Sequence, residues 1–322
     1  MPTLLLALDG SLEAEAAVPF ATELATARGF ALDIVTVVPP AVDVRAVSGA
    51  PVPDASWRAE QQVTLRASAR DYLAAVRDGI AAQVPDLEVS IMVLDGTPAA
   101  TLAAHVHDTG AVALVLTTHG RGGASRLWLG SVADALPRIC QVPVLVVRSP
   151  DLEQGGLDAP APAAQSIATS LQTHRPALSR VMVTFDGTRA ADDVMAPVRT
   201  LLGDSPHYVL TRVASPLHPM LRRIATASTY ERDLAEQEHR AASYLAEHAT
   251  TLRATGVACE LRVPVGMDIA TLIVEHATQC DAGLIALATH ARGPLGRSLL
   301  GSVADKVLRS ATVPVLLYRL AR

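Results

Sequence analysis

Leu116–Arg148 reads LTTHGRGGASRLWLGSVADALPRICQVPVLVVR, and Ala288–Arg319 reads ATHARGPLGRSLLGSVADKVLRSATVPVLLYR. Set over each other without gaps, Thr118–Arg148 and Thr289–Arg319 agree at seventeen of thirty-one positions. The chain is a tandem duplication. In the first copy, the apolar run Val112–Leu116 suits a buried strand and ends in Thr117, Thr118 and His119. Glycines then let the backbone approach a ligand and turn its N–H groups inward. Gly130-Ser131 stands just before the helical pattern of Val132, Ala133 and Leu136, and the positive end of that helix favours an anion. One such loop alone is equally a plain strand–loop–helix connection. Two copies keep Arg121/Arg292, Arg126/Arg297 and Gly130-Ser131/Gly301-Ser302 at identical spacing, and that favours a phosphate cradle.

A length of 322 residues suits two domains of ordinary size, each with its own core. Half of the residues are apolar but only 3% are aromatic, so the cores rest on Ala, Val and Leu, as in helix-covered parallel sheets. A formal charge of −5 and the lack of a basic run argue against nucleic acid. Cys140, Cys259 and Cys280 have no metal-ligand spacing and read as small buried residues. The apolar run Leu4–Leu6 meets Asp9 too soon for a signal peptide, and no stretch is long enough to span a bilayer. A soluble, cytoplasmic protein is expected, with no membrane partner.

In the first half, Leu4–Leu8 predicts a strand that delivers Asp9 to its tip, and Ser11 caps the following helix. Ala17, Phe20, Ala21 and Leu24 give that helix a buried face. Ala31–Val38 is a strand stopped by Pro39-Pro40, and Arg58–Gln83 is a long amphipathic helix. Val89–Leu94 is a strand, Ala99–His107 a helix, and Val142–Val147 the last strand. Strands alternating with helices predict an open five-stranded parallel sheet with helices on both faces, and the order expected for it is 3-2-1-4-5. Ligands of such sheets sit beyond the strand C-termini where the order reverses. That point lies between the strands ending at Asp9 and at Thr117.

These residues resemble the universal stress protein family in its nucleotide-binding branch. The family's loop reads Gly-x-x-Gly, nine residues, then Gly-Ser or Gly-Thr; here the matching residues are Thr117, Gly120, Gly130 and Ser131. LLLALDGS and the TVVPP of Thr36–Pro40 look like the family as well. The resemblance implies a Rossmann-like, adenine-nucleotide alpha-hydrolase-like α/β fold in each half. It implies a stress-response role and ATP as ligand, with magnesium accompanying the triphosphate. It places the base beside Ala7 and Val37, the ribose at Asp9 next to Leu8, and the phosphates on Gly120, Gly130, Ser131 and Val132. Thr117, His119 and Arg121 complete that set. Asp9 also has a bland reading as a helix-flanking residue, and His119 has one as a partner of the loop backbone. A terminal strand commonly mediates dimers in this family, which implies an intramolecular pseudo-dimer and allows a homodimer.

The second half restarts after a Pro- and Gly-rich linker over 150–177, within which Ala163–Gln172 has helical character; the domains expected are 1–149 and 178–322. Val181–Phe185, Tyr208–Val213, Cys259–Val263, Leu284–Ala288 and Val313–Tyr318 are its strands. The implied ATP-binding residues there are Asp186, Val213, Ala288, His290, Arg292, Gly301, Ser302 and Val303. Ala288 and Ala291 replace both loop glycines, so the second half is either a second site, helped by Gly293 and Arg297, or a scaffold.

Other patterns say less. Asp134/Asp305 and Arg138/Arg309 predict exposed ion pairs four residues apart. His105 and His107 read as solvent-facing, and Pro137 predicts a bent or shortened helix. No nucleophile, base and orienting acid assemble from spacing, so a slow ATPase or phosphotransferase in the same crevice is the weaker alternative to a sensor.

Overall fold

β1 (Thr3–Ala7) and β2 (Ala31–Val38) run parallel in register, Thr3 beside Ala31 and Ala7 beside Val35. The computed structural model describes residues 1–40, 55–118, 129–148, 163–173, 178–188, 194–216, 227–289 and 300–319. The chain divides into two units, Met1–Arg175 and Pro176–Arg322. In the first, β3 (Val89–Asp95) pairs with β2, β4 (Ala113–Thr117) pairs with β1, and β5 (Val144–Val147) pairs with β4. All four pairings are parallel, and the order is β3-β2-β1-β4-β5, as the sequence predicts. Leu4, Leu5, Leu6, Leu114 and Val115 are fully buried, because helices cover both faces of the sheet and leave no polar side.

The expected single helix after Asp9 is two, α1 (Leu12–Glu15) and α2 (Val18–Arg28). Pro19 is the reason: its ring has no N–H and crowds the carbonyl four residues back, at Glu15. Ala17, Ala21 and Leu24 are buried as expected. α3 (Ala55–Gln83) packs on β2 and β3, and α4 (Pro98–Thr109) packs on β1, β2 and α5 (Ser131–Ile139). α6 (Ala163–Thr173) falls where helical character is expected; it packs against α3, buries Ile167, and joins Gln172 to Gln83 at 3.3 Å.

Pro137 does not shorten α5, which has nine residues like its counterpart α10 (Ser302–Ser310). It sits in the last turn, where Cys140 N still donates to Leu136 O at 2.9 Å. The last strand of each unit begins two residues late. Pro143 O accepts from Leu114 N, and Pro314 O accepts from Ile285 N, both at 3.0 Å, but a proline cannot return a ladder bond.

The second unit repeats the frame with β6 (Arg180–Thr184), β7 (His207–Thr211), β8 (Cys259–Arg262), β9 (Leu284–Thr289) and β10 (Val315–Arg319) in the order β8-β7-β6-β9-β10, all parallel. Its helices are α7 (Met195–Leu202), α8 (Ala227–Ala254), α9 (Ile269–Gln279) and α10; α8 covers β7 and β8, while α10 covers β9 and β10. Cys140, Cys259 and Cys280 are buried. Among the described residues, no helix is long and apolar enough to cross a membrane.

Candidate functional site

Beyond Ala7 the first strand is prolonged by one bond, Leu8 N to Val35 O at 2.9 Å, and Leu8 itself is buried. Gly10 then adopts φ +82°, a conformation that turns the chain sharply and that glycine takes without strain. Asp9 Oδ1 accepts from Ser11 N at 3.0 Å and from Ser11 Oγ, while Ser11 Oγ accepts from Ala14 N at 3.2 Å. The carboxylate is thereby fixed at the strand tip and the serine caps α1. Asp9 thus has the helix-flanking role, at a position beyond the end of β1.

The neighbouring strand β4 ends in Thr117, which is buried, and Thr118 N donates to Val147 O at 2.9 Å. His119, Gly120, Arg121 and Arg126 lie outside the described residues. The chain returns at Leu129, which is buried, and Gly130 N donates to Thr118 O at 2.8 Å. That bond ties the neck of the loop and takes up the Gly130 amide. The amides of Ser131 and Val132 lie in the first turn of α5, where amides have no intrahelical acceptor. Gly130 precedes the helix with φ −57° and ψ 147°, and it offers no capping side chain. Asp134 would repel a phosphate from the first turn, but Arg138 Nη2 holds its Oδ1 at 2.6 Å. Ala7 and Val37 are half-buried at the same ends of β1 and β2.

The second unit repeats the strand-prolonging bond and the aspartate turn. Phe185 N donates to Thr211 O at 2.9 Å, as Leu8 N does to Val35 O. Gly187 has φ +82°, like Gly10, and Asp186 Oδ1 accepts from Thr188 N at 2.8 Å and Thr188 Oγ1 at 2.7 Å. Ala288 is half-buried near the end of β9; Gly301, with φ −49° and ψ 149°, precedes α10, whose first residues are Ser302 and Val303. A Cβ added at Gly301 meets nothing within 4 Å among the described residues. Arg309 grips Asp305 with bonds of 2.9 and 3.1 Å, so both predicted ion pairs are present, partly buried. His290, Ala291, Arg292, Gly293 and Arg297 lie outside the described residues.

The two units part company at the tips of their second strands. Val38 O accepts from Gly96 N and Ala214 O from Gly266 N, both at 3.1 Å, so Val37 corresponds to Val213 and Thr36 to Arg212. Thr36 is buried, whereas Arg212 reaches across Gly187 and puts its Cζ 4.8 Å from the ring centre of Tyr244. Tyr244 and His248, on α8, meet Phe185 with ring separations of 5.9 and 4.8 Å. The sequence reading passed over this cluster. Its signal was present in the repeat itself, where Thr36-Val37 is matched by Arg212-Val213.

One expectation is corrected. His105 is not solvent-facing: its side chain is 11% exposed and its Nε2 lies 3.1 Å from Asp33 Oδ2, with Ser90 Oγ donating to Asp33 Oδ1 at 2.9 Å. A carboxylate inside a buried parallel strand needs partners, and α4 and β3 supply them. At the far end of β3, Arg66 and Gln62 hold Asp95, and these hydrogen bonds, Arg66's first, keep its carboxyl below the ordinary aspartate value. They line a shallow cleft of about 460 Å³ with Pro40 and Gly96, beside the ends of β2 and β3, not at the reversal between β1 and β4.

Together these features define an open parallel α/β protein with a strand-tip carboxylate at the end of β1 and a glycine-led helix start after the adjacent β4. The chain belongs to the universal stress protein family, which it matches over residues 1–148 and 178–319. It is 26% identical over 313 residues to a universal stress protein of Mycobacterium bovis, covering 97% of this chain and 95% of that one. A universal stress protein structure from Archaeoglobus fulgidus shares the fold with a TM-score of 0.64 at 15% identity, covering 99% of this chain and 96% of that one. A Pseudomonas aeruginosa structure does so with a TM-score of 0.59 at 14% identity, covering 99% and 94%.

Proposed function

We propose that the chain binds an adenine nucleotide, ATP with magnesium, in the crevice of its first unit and serves as a nucleotide-responsive regulator in a stress response. The observation that carries this reading is the convergence of the Asp9 turn and the Gly130-Ser131 helix start at the ends of two adjacent parallel strands. In this reading Ala7 and Val37 flank the base, and Asp9 accepts from ribose hydroxyls, as a carboxylate does well. Ser131 and Val132 donate amides to the phosphates. His119, Gly120 and Arg121 belong to the same proposal as further nucleotide contacts. Magnesium keeps several waters and binds chiefly through phosphate oxygens, so it needs few protein ligands. No cluster of three or more His, Cys, Asp or Glu able to hold a metal occurs among the described residues.

The test is calorimetric titration of the nucleotide-stripped chain with ATP and magnesium, beside Gly130→Val. Binding that disappears in the variant supports the reading. No heat with ATP, and none with AMP or a cyclic nucleotide, overturns it. Phosphate release abolished by one side-chain change would replace the regulator by an ATPase.

A further inference from the structure

The cleft beside the ends of β2 and β3 carries a chemistry of its own. Arg58, Gln62 and Arg66 follow one another four residues apart along α3, on one helix face, and all three line it. Asp95 holds two of them in place. Arg66 donates to both of its oxygens, with Nε 2.8 Å from Oδ1, and Gln62 Nε2 donates to Oδ1 at 2.9 Å. A carboxylate only accepts, so the Gln62 amide has its nitrogen on Asp95 and its oxygen turned away. That oxygen, Oε1, is buried and meets no donor among the described residues. A buried acceptor without a donor is costly, and such an atom calls for an explanation. Arg66 spends two of its five N–H groups on Asp95. The lining thus has two guanidiniums against one carboxylate, donors in excess, and one acceptor in want of a donor.

The second unit has none of this. Leu73 and Ile80 of α3 match Leu245 and Leu252 of α8, all buried, which places Tyr230, Leu234 and Glu238 where the first unit has Arg58, Gln62 and Arg66. Gly266 matches Gly96, so Val265 stands in the place of Asp95. Both cations, the amide and the carboxylate change together.

We propose that the first unit's cleft binds a small hydroxylated anion, a hydroxy acid or a polyol phosphate. Its charged group lies on Arg58 and Arg66, and a hydroxyl donates to Gln62 Oε1. Guanidinium N–H groups match two oxygens of a carboxylate or a phosphate at once. Asp95 is a positioning residue that orients Gln62 and Arg66. A volume of about 460 Å³ suits a ligand of this size. The cleft is separate from the β1–β4 reversal, so failure of the ATP titration leaves this proposal standing.

The experiment is two-dimensional amide NMR of the isotope-labelled full chain, titrated with two matched pairs. L-malate is compared with succinate, and glycerol 3-phosphate with propyl phosphate; the second member of each pair lacks the hydroxyl. Saturable shifts are expected at the Gln62 side-chain amide and the Gly96 amide. In at least one pair the hydroxylated member should bind about tenfold more tightly, the worth of one net hydrogen bond. The pair that does so tells whether the anion is a carboxylate or a phosphate. Gln62→Leu should abolish that preference, whereas Arg58→Tyr should weaken both members alike. Three results overturn the proposal: no saturation by any probe, equal affinity within both wild-type pairs, or shifts at Ser131 and Val132 with none in the cleft. A folded Gln62→Leu that keeps the preference overturns it too. If a variant does not fold, the wild-type pairs decide.

Discussion

At the ends of β1 and β2 the first unit carries Leu8 and Thr36, and at the matching ends of β6 and β7 the second carries Phe185 and Arg212. The backbone bonds around these residues are the same to 0.1 Å or better, and the glycine turns share one φ. Deeper in the sheet the halves differ again. Asp33, held by Ser90 and His105, becomes Val209, while Ser90 becomes Glu260, paired with Arg180 at 2.7 Å. The comparison teaches that duplication conserves what the parallel frame requires. Charge is redistributed wherever a side chain leaves that frame.

The largest effect that would break this comparison is on binding. Gly130→Val puts a branched side chain at the start of α5 and should weaken ATP binding at least about 100-fold, about 2.8 kcal/mol, read by calorimetry. An equal loss from Gly301→Val would erase the asymmetry.

The buried network comes next. Asp33→Val gives the first unit the second unit's residue and strips His105 and Ser90 of their shared acceptor. It should cost about 1–3 kcal/mol in urea unfolding. The converse device in the second unit is Tyr208, fully buried where the first has Leu32, with its hydroxyl donating to Gly203 O. Tyr208→Phe leaves that carbonyl without its donor and should cost about 1 kcal/mol.

The smallest effect is on pH dependence. Burial pushes the Glu260 carboxyl up, but hydrogen bonds from Arg180 and Arg262 outweigh it and leave the pKa below the ordinary glutamate value. A depressed carboxylate contributes stability above its unfolded pKa and loses it as pH falls through the folded one. Glu260→Gln should therefore flatten the acid limb of the second unit's stability curve, measured by urea unfolding from pH 6 downward. The first unit, with Ser90 in that place, should not respond.

Much of this was legible beforehand because parallel strands buried on both faces are continuous apolar runs, and the repeat shows each run twice. Strand order, the reversal point and the Gly-Ser helix starts all followed. The misreadings share a cause: each depends on a residue acting outside its own element. Pro19 broke a helix whose apolar stripe looked unbroken. His105 looked like a surface residue, although Leu102 and Val106 place it beside the buried stripe of α4. A lone acid inside Ala31–Val38 was the sign that something must reach it. Arg212 likewise acts outside its own strand, against Tyr244 of α8.

The most direct measurement is a crystal structure of the chain grown with ATP and magnesium. The account predicts a nucleotide in the first unit, its phosphates at Ser131 and Val132 and its base beside Val37. A nucleotide bound away from the β1–β4 reversal, or a crevice that stays empty at saturating ATP, would contradict it.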